Sequence, residues 1–91
     1  MIDVTERARQ ELRRILSEKV DMPQARLRLI AKRQGNLGLG IDIEAQGDQV
    51  VEYEGSKVLI IEPGLATSLK GVTLDIEDTP EGPELVIAGA L

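Results

Sequence analysis

The chain reads as a mostly β fold, a β-sandwich or half-barrel, carrying an N-terminal α-helix and one further short helix. Three observations predict it. Apolar residues recur at helical spacing near the start, at Ala8, Leu12, Ile15 and Leu16. Beyond about residue 24 the apolar period falls to two, with Gly, Pro and Asp breaking the runs. One run, Val58-Leu59-Ile60-Ile61, is apolar on both faces, as a central strand must be. Closely spaced strands bury one face each, and a single amphipathic helix suffices to cover part of that surface.

Thr5 is the expected helix N-cap, with Glu6 in the first turn, where a carboxylate meets the positive end of the helix dipole. The helix runs to about residue 20. Asp21-Met22-Pro23 ends it, because proline lacks an amide hydrogen and restricts the residue before it. Leu27, Leu29 and Ala31 then alternate with Arg28, Ile30 and Lys32 in a first strand, and Ile41, Ile43 and Ala45 with Asp42 and Glu44 in a second. Gln46-Gly47-Asp48 turns the chain into a strand over residues 50–54. Gly55-Ser56 suits a tight hairpin, with glycine taking positive φ in the first turn position. Pro63 opens a short helix through Leu69, and Gly71 ends it. Val72, Leu74 and Ile76 alternate in the next strand. Thr79-Pro80-Glu81-Gly82-Pro83 forms a turn, and Glu84 to Ala88 a last strand.

A length of 91 residues bounds the chain to one domain, 1–91, large enough for one core without metal or disulfide staples. Tyr53 is the only aromatic residue, so that core is aliphatic. No apolar run approaches the ~20 residues that span a bilayer. Charges throughout residues 1–20 leave no signal-peptide core, and a cytoplasmic location without membrane attachment is expected. The net charge of −5 divides unevenly: residues 1–33 hold nine Lys/Arg and five Asp/Glu, and residues 34–91 hold two and eleven. Either the basic segment is a footprint for an acidic partner, or folding sets basic helix against acidic strands.

The chemistry open to these residues is narrow. There is no cysteine and no histidine. A serine nucleophile would need lysine as its base, and the close pairs Ser56-Lys57 and Ser68-Leu69-Lys70 make poor dyads because adjacent strand or turn residues point apart. Three i,i+2 carboxylate pairs, Asp42 with Glu44, Glu52 with Glu54 and Asp75 with Glu77, read as polar strand faces or as a weak hard-cation site. Nucleic-acid binding is disfavoured by the acidic balance and by one tyrosine where a stacking platform needs several rings. On the helix, Arg7, Arg13 and Arg14 lie away from the apolar stripe. Arg7 can pair with Glu11 and Arg14 with Glu18, each at i,i+4, and Arg13 has no acid at that spacing. These three arginines are the candidate partner-binding residues.

The most informative stretch is Gly35-Asn36-Leu37-Gly38-Leu39-Gly40, which precedes the second strand. A dinucleotide fingerprint needs Gly-x-Gly-x-x-Gly opening a helix; here the spacing is reversed and a strand follows. Asn36, the only asparagine, serves as a turn residue or as a hydrogen-bonding contact. Together with Val58 through Glu62, Leu69-Lys70-Gly71 and Leu74-Asp75, and with Val4-Thr5-Glu6-Arg7-Ala8 and Arg26-Leu27-Arg28-Leu29 at the front, this loop resembles the A-type iron–sulfur carriers, the HesB/IscA-like family. The family's loop reads Gly-Cys-Ser-Gly, so Asn36 stands where its first cysteine would be. The family's C-terminal Cys-Gly-Cys has no counterpart in Ala88-Gly89-Ala90-Leu91.

The resemblance therefore implies a HesB-like domain with a degenerate cluster loop, Gly35, Asn36, Leu37 and Gly38, and with no metal or cofactor of its own. It implies a non-enzymatic interaction or regulatory module near iron–sulfur assembly or sulfur metabolism. Its expected partners are iron–sulfur assembly or sulfur-transfer proteins, and a homo-oligomer is plausible because A-type carriers associate. The alternatives are a weak divalent-metal binder using strand carboxylates, or a small enzyme of unknown class.

Overall fold

Two sheets and a helix enclose an aliphatic core in the computed structural model, which describes residues 2–32 and 37–88. The elements in chain order are β1 (Asp3–Val4), α1 (Glu6–Lys19), β2 (Ala25–Ala31), β3 (Leu37–Ile43), β4 (Gln49–Tyr53), β5 (Ser56–Ile61), α2 (Pro63–Ser68), β6 (Thr73–Thr79) and β7 (Gly82–Ala88). One sheet has the order β1-β6-β7 and the other β3-β2-β5-β4. The pairs β1–β6 and β2–β5 are parallel, and the remaining neighbours are antiparallel. The mostly β class with an N-terminal and a short second helix is thus as expected. No helix among the described residues is long and apolar enough to cross a membrane.

The sequence explains the helix closely. The Thr5 hydroxyl accepts from the Ala8 amide at 3.1 Å and donates to Asp75 Oδ1 at 2.8 Å. One side chain thereby caps α1 and ties it to β6. Ala8 and Leu12 are fully buried, and Ile15 and Leu16 pack against the same cluster. Leu27 and Leu29 of β2, Leu59 and Ile61 of β5, and Leu74 and Ile76 of β6 complete it.

In β5, Val58, Leu59, Ile60 and Ile61 all have 0% exposure, which makes this the two-faced central strand the sequence indicates. Ile60 stands in register with Arg28 on β2 and Val50 on β4, on the face away from Leu59. That second face is closed by a polar group. Arg28 Nε donates to Asp42 at 2.8 Å, and its Nη2 donates to Asp48 at 2.8 Å. The Asp48 side chain is 1% exposed and also accepts the Ala45 amide at 2.8 Å, which fixes the turn before β4.

Three local expectations change, and one strand, β1, was not expected. β3 begins at Leu37 rather than Ile41, so Leu37-Gly38-Leu39-Gly40 is strand and pairs fully with Ile30, Arg28 and their neighbours on β2. The hairpin turn sits one residue early. Glu54 and Gly55 both have positive φ, 50° and 82°, as the two central positions of a right-twisting hairpin turn require, and Ser56 already belongs to β5. β7 starts at Gly82 and includes Pro83, which its edge position tolerates. The two-residue β1 has too little sequence to show a period.

Three outcomes follow. Ile60→Ala removes contacts from a fully buried position and should cost roughly 2–4 kcal/mol in denaturant melts. Glu52→Ala, at an exposed position, should stay within about 0.5 kcal/mol of the parent. The Arg28 guanidinium, helped by the Ala45 amide, holds the Asp48 carboxyl below its ordinary range against the opposing effect of burial. A depressed folded-state pKa contributes stability above the unfolded carboxylate range, and that contribution is lost as pH falls through the folded value. Asp48→Asn should therefore be less stable than the parent near neutrality, and the difference should shrink in acid melts as the parent's own carboxylate protonates.

Candidate functional site: an open cleft between two sheet edges

β3 is the edge of one sheet and β7 the edge of the other, so each presents a row of backbone groups with no strand beside it. Between them lies an open cavity of about 650 Å³, lined by Lys32, Leu37, Gly38 and Leu39 on one side and residues 84–87 on the other. Register fixes which side chains face it. Leu39 and Ile41 stand opposite Leu29 and Leu27, on the core-facing side of β3. Leu85 and Ile87 stand opposite Ile76 and Leu74, on the core-facing side of β7. The cleft is therefore the unsealed margin of the core, and its aliphatic wall continues outward along β3 to Ile41 and Ile43, 58% and 55% exposed.

The glycines of this stretch do a strand's work. Gly38 and Gly40 share the outer face of β3, where the side chains of Ile30 in β2 and of Lys32 just after it lie across them. A Cβ on Gly40 would stand 2.6 Å from Ile30 Cδ1, and one on Gly38 would collide with Lys32 Cε. Bare backbone at these two positions lets Ile30 and Lys32 cross the strand and brings the Lys32 ammonium to the free edge. Lys32 forms no ion pair among the described residues.

Of the predicted loop residues, Leu37 and Gly38 open β3 at the cleft, and Gly35 and Asn36 lie outside the described residues. The three arginines are on the exposed side of α1, away from the cleft, and all have partners within the chain. Arg7 bonds Asp78 at 2.7 Å and the Ile76 carbonyl at 3.4 Å, not Glu11 as its spacing suggests. Arg14 engages Glu18 at 2.7 Å, as expected, and Glu11 as well. Arg13 does have an acidic neighbour, Glu54 at 3.7 Å, contributed by the β4–β5 turn. Contacts of Arg7 with β6 and Arg13 with that turn set the basic segment against the acidic one.

The carboxylate pairs are divided among cations in the same way. Asp42 goes to Arg28 and Glu44 to Lys57 at 3.0 Å. Glu54 faces Arg13, and Asp75 accepts from Thr5 and from the Ile76 amide, which together lower its pKa. No three acidic groups converge among the described residues. Sequence reasoning missed the second wall of the cleft, Leu85 and Ile87, and the part played by Lys32. The period-two spacing of Gly38 and Gly40 was the available signal for a crossed strand face.

Comparison with known proteins agrees with this geometry. No protein-family model matches the chain. An uncharacterized protein in the nifU 5′ region of Cereibacter sphaeroides is 38% identical, over 94% of this chain and 84% of its own length. Among solved structures, IscA with its [2Fe-2S] cluster aligns with TM-score 0.65 at 20% identity, covering 98% of this chain and 85% of that one. Escherichia coli SufA, involved in biosynthesis of iron–sulfur clusters, aligns with TM-score 0.69 at 17% identity, covering 97% and 84%. A protein from Aquifex aeolicus aligns with TM-score 0.62 at 22% identity, covering 97% and 90%. The chain belongs to the family of the nifU 5′-region protein, has the IscA/SufA fold and contains no cysteine.

Proposed function

We propose that this protein is a non-enzymatic interaction module acting in iron–sulfur assembly or sulfur metabolism, where it docks proteins and carries no cluster. The observation that supports this most is the cleft itself. In a fold shared with IscA and SufA, the cleft is walled by Leu37, Leu39, Leu85 and Ile87 with Lys32 and Glu84 among them, and the chain offers no thiolate or imidazole. Clusters are held by such ligands, so what this fold retains is shape and surface. The nifU-region relative favours a setting near iron–sulfur chemistry.

The docking face we favour is the exposed side of α1, with Arg7, Arg13 and Arg14. Their ion pairs are solvent-exposed, and pairs of that kind contribute only ~0–1 kcal/mol each. A partner's carboxylates can exchange for Glu54, Glu18 or Asp78 at little cost, and the arginines then steer the encounter.

Affinity capture from native lysate at low and high salt tests the assignment. Iron–sulfur assembly or sulfur-transfer proteins should co-purify at low salt, and their absence from the captured set would count against it. Replacing Arg13 and Arg14 by Gln should leave the melting temperature nearly unchanged and lower the association rate with the captured partner. Indifference of that rate to both substitutions and salt would move the docking face off α1.

A further inference from the structure

We infer that the hollow shared by Arg26, Ser56 and Lys57 binds a phosphate-type dianion, free or as a small phosphomonoester. It lies where the parallel strands β2 and β5 begin, and it has no residue in common with the cleft or with the arginines of α1 proposed for docking. Its volume is about 370 Å³, and the other residues lining it are Leu16, Pro23 and Gly55. No acid lines it. The inference stands independently of the proposed function.

The first observation is a guanidinium without a counter-ion. Every Asp and Glu of the chain lies among the described residues. Arg7, Arg13, Arg14 and Arg28 each pair with at least one of them, and Arg26 pairs with none. Its Nη1 donates to the Pro23 carbonyl at 2.7 Å and to the Ala25 carbonyl at 2.9 Å. Its Nε is buried with no hydrogen-bond partner. Two carbonyls thus hold the group in place and leave its charge uncompensated. Taking a cation partly out of water without an anion beside it is unfavourable, and a bound anion offsets that cost. Arg9 Nε is also buried without a partner, but Arg9 lines neither this hollow nor the cleft.

The second is that the nearest acid in register is committed elsewhere. Asp42 stands opposite Arg26 across the β2–β3 ladder. One of its oxygens accepts from Arg28 Nε at 2.8 Å and the other from the Ile43 amide at 2.7 Å. The chain therefore leaves Arg26 to an anion from outside.

The third is the match of charge and donors. Lys57 supplies a second cation, bonded to Glu44 at 3.0 Å in a pair whose side chains are 42% and 38% exposed. An exposed pair of that kind contributes little, so an incoming anion can share or take the ammonium. Arg26 and Lys57 together balance a dianion, and a carboxylate would balance only one of them. The arginine fork, the ammonium and the Ser56 hydroxyl offer donors enough for the several acceptor oxygens of a phosphoryl group. Leu16 and Pro23 give the hollow an apolar side, against which the body of a small ester can rest.

Proton–nitrogen NMR titration of the full chain with inorganic phosphate, sulfate and acetate at constant ionic strength tests this. Phosphate and sulfate should saturably shift the amides of Gly55, Ser56 and Lys57 and the Nε–H of Arg26, and acetate should not. Arg26→Gln should weaken phosphate binding roughly tenfold or more, the loss expected for a hydrogen bond to a charged group. Because Arg26 also ties the Pro23 and Ala25 carbonyls, Lys57→Gln provides a second variant. It should keep the parent's melting temperature and still weaken binding several-fold. Lys70→Gln removes the same charge outside the hollow and should leave binding unchanged. Phenyl phosphate binding more tightly than inorganic phosphate would identify a monoester as the occupant, and weaker binding would identify free phosphate. Absence of saturable shifts, an equal response to acetate, or equal weakening by Lys70→Gln and Arg26→Gln would each overturn the inference.

Discussion

β5 is the constraint on which the rest of the structure depends. Four consecutive residues, Val58 to Ile61, are wholly removed from water, which is attainable only when both faces of the strand are covered. One face is met by the aliphatic cluster of Leu12, Leu27 and Leu74. The other, at Ile60, is bordered by Val50 and Arg28, and Arg28 is in turn held by Asp42 and Asp48. The parallel pairing of β2 with β5 places β3 at the sheet's outer edge, because β2 has only one further side to offer. The position of the cleft is a consequence of that order: β3 is left as one free edge, and β7 ends the opposing sheet as the other.

The same arrangement bears on how the IscA/SufA fold packs in a chain without cysteine. The core of the described residues is aliphatic. The cleft is bordered by Leu37, Leu39, Leu85, Val86 and Ile87 together with Lys32 and Glu84, and the ion pair of Arg28 with Asp48 lies on the far face of the sheet. The absence of cysteine leaves that packing unaffected. Beside it lies an unsealed margin next to free backbone edges.

Much of the fold was legible because its signals are local. Thr5 as cap, the Ala8–Leu12 stripe, the two-faced run at β5 and Pro63 before a short helix each depend on residues within one or two turns of each other. The misses have a common cause. Leu37 to Gly40 looks like a loop because glycine is rare in strands, and only the side chains of Ile30 and Lys32, in and just after β2, show what lies across the two glycines. The Glu54 turn position is similar, since a glutamate at positive φ goes against local preference and is imposed by hairpin twist. Arg13 lacked a partner in the sequence because Glu54 is forty-one positions away. The cleft needed long-range information as well, its second wall coming from β7.

We propose that this chain combines the IscA/SufA fold with protein docking and carries no cluster. The most direct test is anaerobic reconstitution with iron and sulfide, followed by desalting and assay of protein-bound iron, sulfide and visible absorption. A folded protein with none of the three is the predicted result. Stoichiometric iron and sulfide retained on the folded chain, with a visible cluster spectrum, would contradict it.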